Sequence, residues 1–399
     1  GTRRTLDVTF GGVKLGDGII SRNGVALVDD SASLTLLSDG TVEPRPQAEK
    51  DIYVFAYGFN YTSALRDFYR ITGETPLIPR FCLGNWWSRF WRYTQDEYLD
   101  LMNEFEKKDI PLTVACIDMD WHWVDVEKRF GDKAKDYPKP KNPIAYITGC
   151  FWNPGWTGYS WNTELFPDHV RFLKMLHEKG LKTNLNIHPA QGVRFFEDSY
   201  VEFAKHMGID EKNKEPIDFD FTDKSFIEGY FKYINSPMEK EGVDFWWIDW
   251  QQGSRSKIEG LDPLWLLNHY YCLDRQSKGL RQLTLSRFAG FGSHRYPLGF
   301  SGDTAIKWSV LDFQPYFTAT AANAGYCWWS HDIGGHNFGK LSDELYLRWV
   351  QFGVFSPIMR FHSANVARKS KEPWKFGGEA ERITKKFLRL RHRMIPYTY

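Results

Sequence analysis

Nine polar residues recur at one kind of place in this sequence, just past the end of a short apolar run: Asp118 and Asp120, His188, Asp249, Arg287, Asp303, Asp332, and Arg360 with His362. Asp249 is the most constrained of them. It stands near the end of Gly242-Val243-Asp244-Phe245-Trp246-Trp247-Ile248-Asp249-Trp250, an apolar run rich in β-favouring residues that opens on a helix-ending glycine. A bare carboxylate among tryptophans costs several kcal/mol to bury, so a chain keeps one there only with partners or a task. Asp303 lies in Phe300-Ser301-Gly302-Asp303-Thr304, behind a glycine that permits close approach of a substrate. Two carboxyl groups can cleave a glycosidic bond between them: one attacks the anomeric carbon, and the other protonates the leaving oxygen and then deprotonates water. That division requires opposite protonation at one pH, hence different surroundings. The pattern assigns Asp249 the ionised role and Asp303 the protonated one. The other members of the set, with carboxylates accepting and arginine and histidine donating, suit a neutral, hydroxyl-rich ligand. Trp86, Trp121, Trp156, Trp247 and Trp329 are expected to wall the same pocket.

For these residues to meet, the strand ends must converge, as they do at the mouth of a (β/α)₈ barrel. From Phe81 onward the chain alternates strand-like and helix-like segments. Strands are predicted at about 81–86, 112–118, 182–188, 243–249, 281–286, near Phe300, at 325–330 and at 354–360. Thr94 with Glu97 forms a capping box ahead of Tyr98, Leu101, Met102 and Phe105 at helical spacing. Further helices are predicted over 168–179, 226–234, from Pro263 to a stop at Gly279, and over 342–352 and 379–394. An open doubly wound sheet would want a glycine-rich phosphate loop after the first strand, and none is there. The expected fold is therefore an α/β (β/α)₈ barrel over 80–399, with long loops at about 119–167 and 189–224. The first of these carries Phe151-Trp152-Asn153-Pro154-Gly155-Trp156-Thr157-Gly158-Tyr159. Residues 1–58, with turn signals such as Ser38-Asp39-Gly40 and Pro44-Arg45-Pro46, are expected to be the end of an N-terminal β-sandwich, joined by a helix and linker over 59–79.

Composition narrows the function classes. A net charge of +1 over 399 residues gives no electrostatic case for nucleic acid or an anionic membrane as partner. No apolar run is long enough to span a bilayer, and no signal peptide is present, so a cytoplasmic location is expected. Cys82, Cys116, Cys150, Cys272 and Cys327 are scattered without metal spacing, which predicts free thiols and no zinc site. Asp118, Asp249 and Asp332 have the chemistry to ligate a hard cation. The arginines beside them make that unnecessary, and no metal or other cofactor is expected. Lys369-Ser370-Lys371 is expected on a solvated surface. The chain starts without Met and ends within a helical pattern, as a piece of a longer protein would.

Taken together, Trp247-Ile248-Asp249, Ser286-Arg287-Phe288-Ala289-Gly290 through Arg295-Tyr296, Phe300-Ser301-Gly302-Asp303 with Trp308, His331-Asp332-Ile333-Gly334-Gly335 and Arg360-Phe361-His362 resemble glycoside hydrolase family 31. The resemblance spans essentially the whole chain. It implies a retaining double displacement at an α-glycosidic bond, with Asp249 as nucleophile and Asp303 as acid/base. It also implies that Asp118, Arg287, Asp332 and His362 hold the sugar, with C-terminal β-domains absent here. Asp120, Trp156, His188, Trp247, Trp250, Gln251 and Arg360 complete the expected substrate-binding set. Trp250-Gln251-Gln252 departs from the Met-Asn-Glu common after the family's nucleophile, and His336 stands where an aromatic is common. An α-glucosidase-type enzyme is the expectation. The departures keep α-galactosidase and α-N-acetylgalactosaminidase activity open, beside a transglycosylase or an inactive sugar-binding protein. The expected partner is a small oligosaccharide, and a homo-oligomeric state is left open.

Overall fold

The computed structural model describes residues 1–45, 50–136 and 154–399. Cys150 and Phe151-Trp152-Asn153 lie outside them, as does Pro46. Four strands precede the barrel: β1 (Val25–Asp29) pairs antiparallel with β4 (Ile52–Ala56), and β2 (Thr35–Leu36) with β3 (Val42–Glu43). A helix over Tyr61–Thr72 follows. Residues 2–10, expected to belong to this β region, instead run over the barrel, where Leu6 and Val8 donate backbone hydrogen bonds to Ser301 and Asp303.

The barrel's first half is a continuous parallel ladder of β5 (Asn85–Trp87), β6 (Val114–Ile117), β7 (Lys182–Ile187) and β8 (Phe245–Ile248), flanked by β11 (Met359–Phe361) on the far side of β5. Every residue of β5, β6 and β8 is buried, which suits their apolar or aromatic side chains; the exception, Asn85, donates to the Pro111 and Leu388 carbonyls. The other half is carried by single parallel bridges and two-residue strands. Trp247 pairs with Leu285 and Ser286 with Gly299; β9 (Gly299–Phe300) pairs with β10 (Trp329–Ser330), and Ser330 with Ile358 next to β11. The fifth predicted strand is thus reduced to two bridged residues. The eighth begins late, because its first residues continue the helix Asp343–Phe355.

The helices start where the sequence supplies caps. Thr94 accepts from the Glu97 N–H while the Glu97 carboxylate accepts from the Thr94 N–H, a reciprocal arrangement in which loss of the cap residue alone costs about 1 kcal/mol. Asp168, Asp262 and Ser342 cap the helices His169–Glu178, Pro263–Ser277 and Asp343–Phe355 with a side-chain acceptor alone. The two long loops are pinned together: Glu197 accepts from the Ser160 hydroxyl at 2.6 Å and the Tyr159 N–H at 3.0 Å, and Thr157 donates to the His188 carbonyl. Cys82, Cys116 and Cys272 are buried free thiols, and Cys327 is free and half-buried. Among the described residues no helix is long and apolar enough to cross a membrane.

Candidate active site

Asp249 follows β8 directly and is pinned by its neighbours. Its backbone N–H reaches the Ile187 carbonyl, so β7 and β8 stay in register up to the carboxylate. Arg287 donates to Oδ1 at 2.9 Å, Asn186 to Oδ2 at 3.3 Å, and His188 Nε2 lies 3.4 Å from Oδ2. Burial alone would push this carboxyl up; the His188 contact and the Arg287 guanidinium outweigh it and hold Asp249 well below the usual carboxylate range. It is therefore an anion at any working pH.

Asp303 sits differently. It follows β9 in an irregular segment, its side chain is 33% exposed, and no arginine or lysine pairs with it among the described residues. It does not cap the next helix, which starts after Lys307. Burial of the carboxyl raises its pKa to about 7; His336 opposes the rise, while Asp7, Asp332 and Asp249 reinforce it. Asp303 thus carries a proton up to neutrality while Asp249 does not.

One residue joins the two. Asp7 accepts from Arg287 through both oxygens at 2.9 Å, and its Oδ1 also accepts the Asp303 N–H at 2.8 Å. The Thr5 hydroxyl accepts from the same arginine at 2.5 Å. Gly302 makes this possible: it has φ +91°, and a Cβ there would lie 2.3 Å from both Arg287 Nη1 and Asp7 Oδ1.

The other predicted residues close the ring. Arg360 is fully buried and donates to Asp332 Oδ1 at 2.5 Å, to Ser330 and to Ser88. Burial raises Asp332, but Arg360, His362 and His336 together hold it low. His362 shares a hydrogen bond with the Ser88 hydroxyl at 2.8 Å, and its Nε2 is 3.8 Å from Asp118 Oδ2. Burial lifts Asp118 to about 8, against a hydrogen bond from the Met119 N–H. Asp120 is buried beside it, raised by burial, with Oδ2 unpartnered. Trp156 is half-buried, with its ring 4.5 Å from that of His188. Trp250 donates to the Gly253 carbonyl at 2.9 Å and leans on Phe219. The Gln251 N–H bonds the Gln252 side chain.

The aromatic wall needs correction. Trp86, Trp121, Trp247 and Trp329 are fully buried packing residues. Trp247 lies beneath the site with its ring edge-on to His362 and Phe300, and Trp86 donates to the Cys82 carbonyl. Large rings on short strands fill the barrel interior, which leaves Trp156 as the half-exposed member of the five. The Lys369-Ser370-Lys371 expectation is also overturned. All three are buried, and Lys371, with no exposure, packs against Gly334 behind Asp332, where burial lowers it to about 7.

Donor atoms of Asp303, Asp332, His336 and His362 lie within 4.8 Å of one another. Arg360 on Asp332 and the imidazole between the two carboxylates already neutralise this cluster, and we assign it no metal.

Residues 75–399 match the TIM-barrel domain of glycosyl hydrolases family 31. The chain belongs to that family. Among curated relatives, it is 25% identical to an alpha-xylosidase of Saccharolobus solfataricus, over 96% of this chain and 51% of that protein. It is 27% identical to alpha-glucosidase 2 of Bacillus thermoamyloliquefaciens, over 88% of this chain and 44% of that protein. The chain thus spans about half the length of these relatives. Among solved structures, a GH31 alpha-xylosidase from a soil metagenome, complexed with xylose, superposes with a TM-score of 0.68 at 21% identity, covering 88% of this chain and 54% of that one. A cycloalternan-degrading enzyme from Trueperella pyogenes gives 0.67 at 17%, covering 95% and 60%. At these identities the superpositions speak for the fold alone.

Sequence reasoning missed several residues of this family 31 site: Asp7, Thr5, Asn186 and Ser88. Asn186 had a signal, since Asn184 and Asn186 fall two residues apart on one face of β7, in line with His188 just past its end. Asp7 had none, being a single Asp in an alternating stretch far from both catalytic candidates in the chain.

Proposed function

We propose that this chain is the catalytic barrel of a retaining α-glycosidase that removes a terminal, non-reducing α-linked sugar, of the α-glucosidase type. The observation that carries the reading is the pair of aspartates at one barrel mouth, Asp249 held anionic and Asp303 held protonated to about 7. The curated names of its relatives, α-xylosidase and α-glucosidase, support an α-linked glucose or its counterpart lacking C6.

In the first step an Asp249 carboxylate oxygen bonds to the anomeric carbon as the glycosidic C–O bond breaks, and the Asp303 proton goes to the leaving oxygen. In the second, Asp303, now an anion, takes a proton from water as the water oxygen displaces Asp249 from the same carbon. Arg287 keeps the nucleophile charged and oriented. Asp332, His362 and Asp118 present acceptors and donors to sugar hydroxyls.

The test is a panel of nitrophenyl α-glycosides (glucose, xylose, galactose, N-acetylgalactosamine) run beside Asp249→Ala. Turnover of the glucoside or xyloside that vanishes in the variant is expected. Activity on β-glycosides alone, or turnover that survives the variant, overturns the reading.

A further inference from the structure

We propose that His336 is the positioning residue of the acid/base: its ring, seated between Asp303 and Asp332, anchors Asp303 Oδ2 and leaves Oδ1 for the glycosidic oxygen. The inference rests on the acid/base role given to Asp303 above and assigns that role its control.

Nε2 of His336 lies 3.6 Å from Asp303 Oδ2, and Nδ1 lies 3.6 Å from Asp332 Oδ2. These are ion-pair distances, slightly longer than hydrogen bonds, as is common for catalytic contacts before a substrate closes on them. No other ion pair reaches Asp303 among the described residues, so His336 is its single cationic contact. The backbone makes the pairing durable. His336 N–H donates to the Thr304 carbonyl at 2.8 Å, Ile306 N–H donates to the Asn337 carbonyl at 2.8 Å, and Ala305 bridges Asn337 in parallel. The segments carrying acid/base and histidine are therefore zipped together and move as one. The turn that delivers the ring needs Gly335, whose φ is +72° and whose place a Cβ cannot take without meeting Ile306 Cα at 2.9 Å.

Charge supports the same assignment. Buried imidazoles normally lose affinity for a proton, and His331 and His362 follow that rule, both lowered by burial. His336 departs from it. Burial opposes its charge, but Asp303, Asp332 and Asp118 outweigh burial and raise it to about 9. The remaining groups around it do not supply a competing anion. His362, its ring tilted against that of His336 at 5.1 Å, is held neutral, while Arg360 pairs with the other oxygen of Asp332, Oδ1, and buried Lys371 is lowered to about 7. An imidazolium at this place stabilises the Asp303 anion left after proton transfer. The acid is thereby stronger than its acidic neighbours Asp7, Asp332 and Asp249 would allow.

The test compares His336→Gln and His336→Phe with the native protein on two substrates: an α-linked disaccharide, whose leaving oxygen needs the proton, and the α-glycosyl fluoride, whose fluoride leaves without one. The expected result is a basic limb of kcat/KM displaced upward by about one pH unit or more. The expected loss at neutral pH is about tenfold or more on the disaccharide and much smaller on the fluoride. A limb that stays in place, or equal losses on both substrates, overturns the proposal, because a merely structural histidine predicts that result. Asp303→Ala run alongside separates the two levels: undiminished disaccharide hydrolysis by that variant would remove the acid/base reading itself. If neither histidine variant folds, ¹⁵N shifts of the His336 ring in the native protein decide. A ring still protonated at pH 8, with a smaller inflection at the kinetic limb, supports the pairing, and a ring neutral at pH 7 overturns it.

Discussion

The two catalytic candidates stand on opposite kinds of scaffold. Asp249 ends a strand in the continuously laddered half of the barrel, with a backbone hydrogen bond from its own N–H and three side chains aimed at its carboxylate. Asp303 follows a two-residue strand in the half held by single bridges, and it is steadied from outside: by Asp7 from the N-terminal segment and by His336 from the next loop. The contrast suits the chemistry. A nucleophile must keep one charge and one position throughout. An acid/base must give up a proton and take it back, so it is better served by a part-exposed site with few cations near it. Arg287 spans the two banks, since it bonds Asp249 with one nitrogen and Asp7 with the other.

The largest expected effect comes from the rigid bank. Asp249→Ala should lower kcat on every α-glycoside by on the order of 10⁴-fold, and an initial-rate assay on an aryl glycoside checks it. Comparable losses on all leaving groups are the signature of a missing nucleophile. Asp303→Ala should lower kcat/KM, which reports the first step, by about 10²–10⁴-fold on a disaccharide and little on a glycosyl fluoride, while the second step, which needs Asp303 as base, slows for both. If the two substrates lose alike, the division of labour between the banks is wrong. Asp7→Ala should come next: it frees the Asp303 N–H and removes one of the two acidic partners of Arg287, and a kcat/KM loss of about tenfold is expected from weakened charge-assisted bonds. Asn186→Ala, which removes one long donor from an already well-held carboxylate, should cost less than Asp7→Ala. The reverse order would contradict the contrast between a self-sufficient and a propped bank. The smallest effect is the pH response of the native protein. Asp303 must be protonated to donate, so kcat/KM should fall as pH rises through about 7. Asp249, held well below the usual carboxylate range, should produce no acid limb at accessible pH.

The same contrast explains what the sequence made legible. The strands β6 to β8 were readable because each is a nearly unbroken buried run, so the residue just past it, Asp118, His188 or Asp249, could be placed by counting. The first residues of the strand predicted at 81–86, by contrast, form a tight turn over Arg80–Leu83. In the other half the ladder is carried by pairs of residues, and a run as short as Gly299–Phe300 has no periodicity to detect. There Arg287, Asp303 and Asp332 were placed past strands predicted at 281–286, near Phe300 and at 325–330, of which the structure keeps two paired residues each. Side-chain direction was harder still. Trp247 and Trp329 stand on strands that lead to the mouth but turn into the packed interior, so a tryptophan's position in sequence did not reveal which surface it serves. Lys371 looked like a surface lysine because nothing local records that its stem packs behind Asp332. Asp7 belongs to the same class of long-range placement: its partners lie at Arg287 and Asp303, and the two-residue alternation around it points only to a strand.

The central claim is that Asp249 forms a covalent bond to the sugar while Asp303 manages the proton. Trapping tests it most directly: the protein is incubated with a 5-fluoro-α-glycosyl fluoride, digested, and the peptides are weighed. The account predicts one added fluorosugar on the peptide carrying Asp249, and none in Asp249→Ala. A label on another carboxylate, or no label while the substrate is turned over to the inverted anomer, would contradict it.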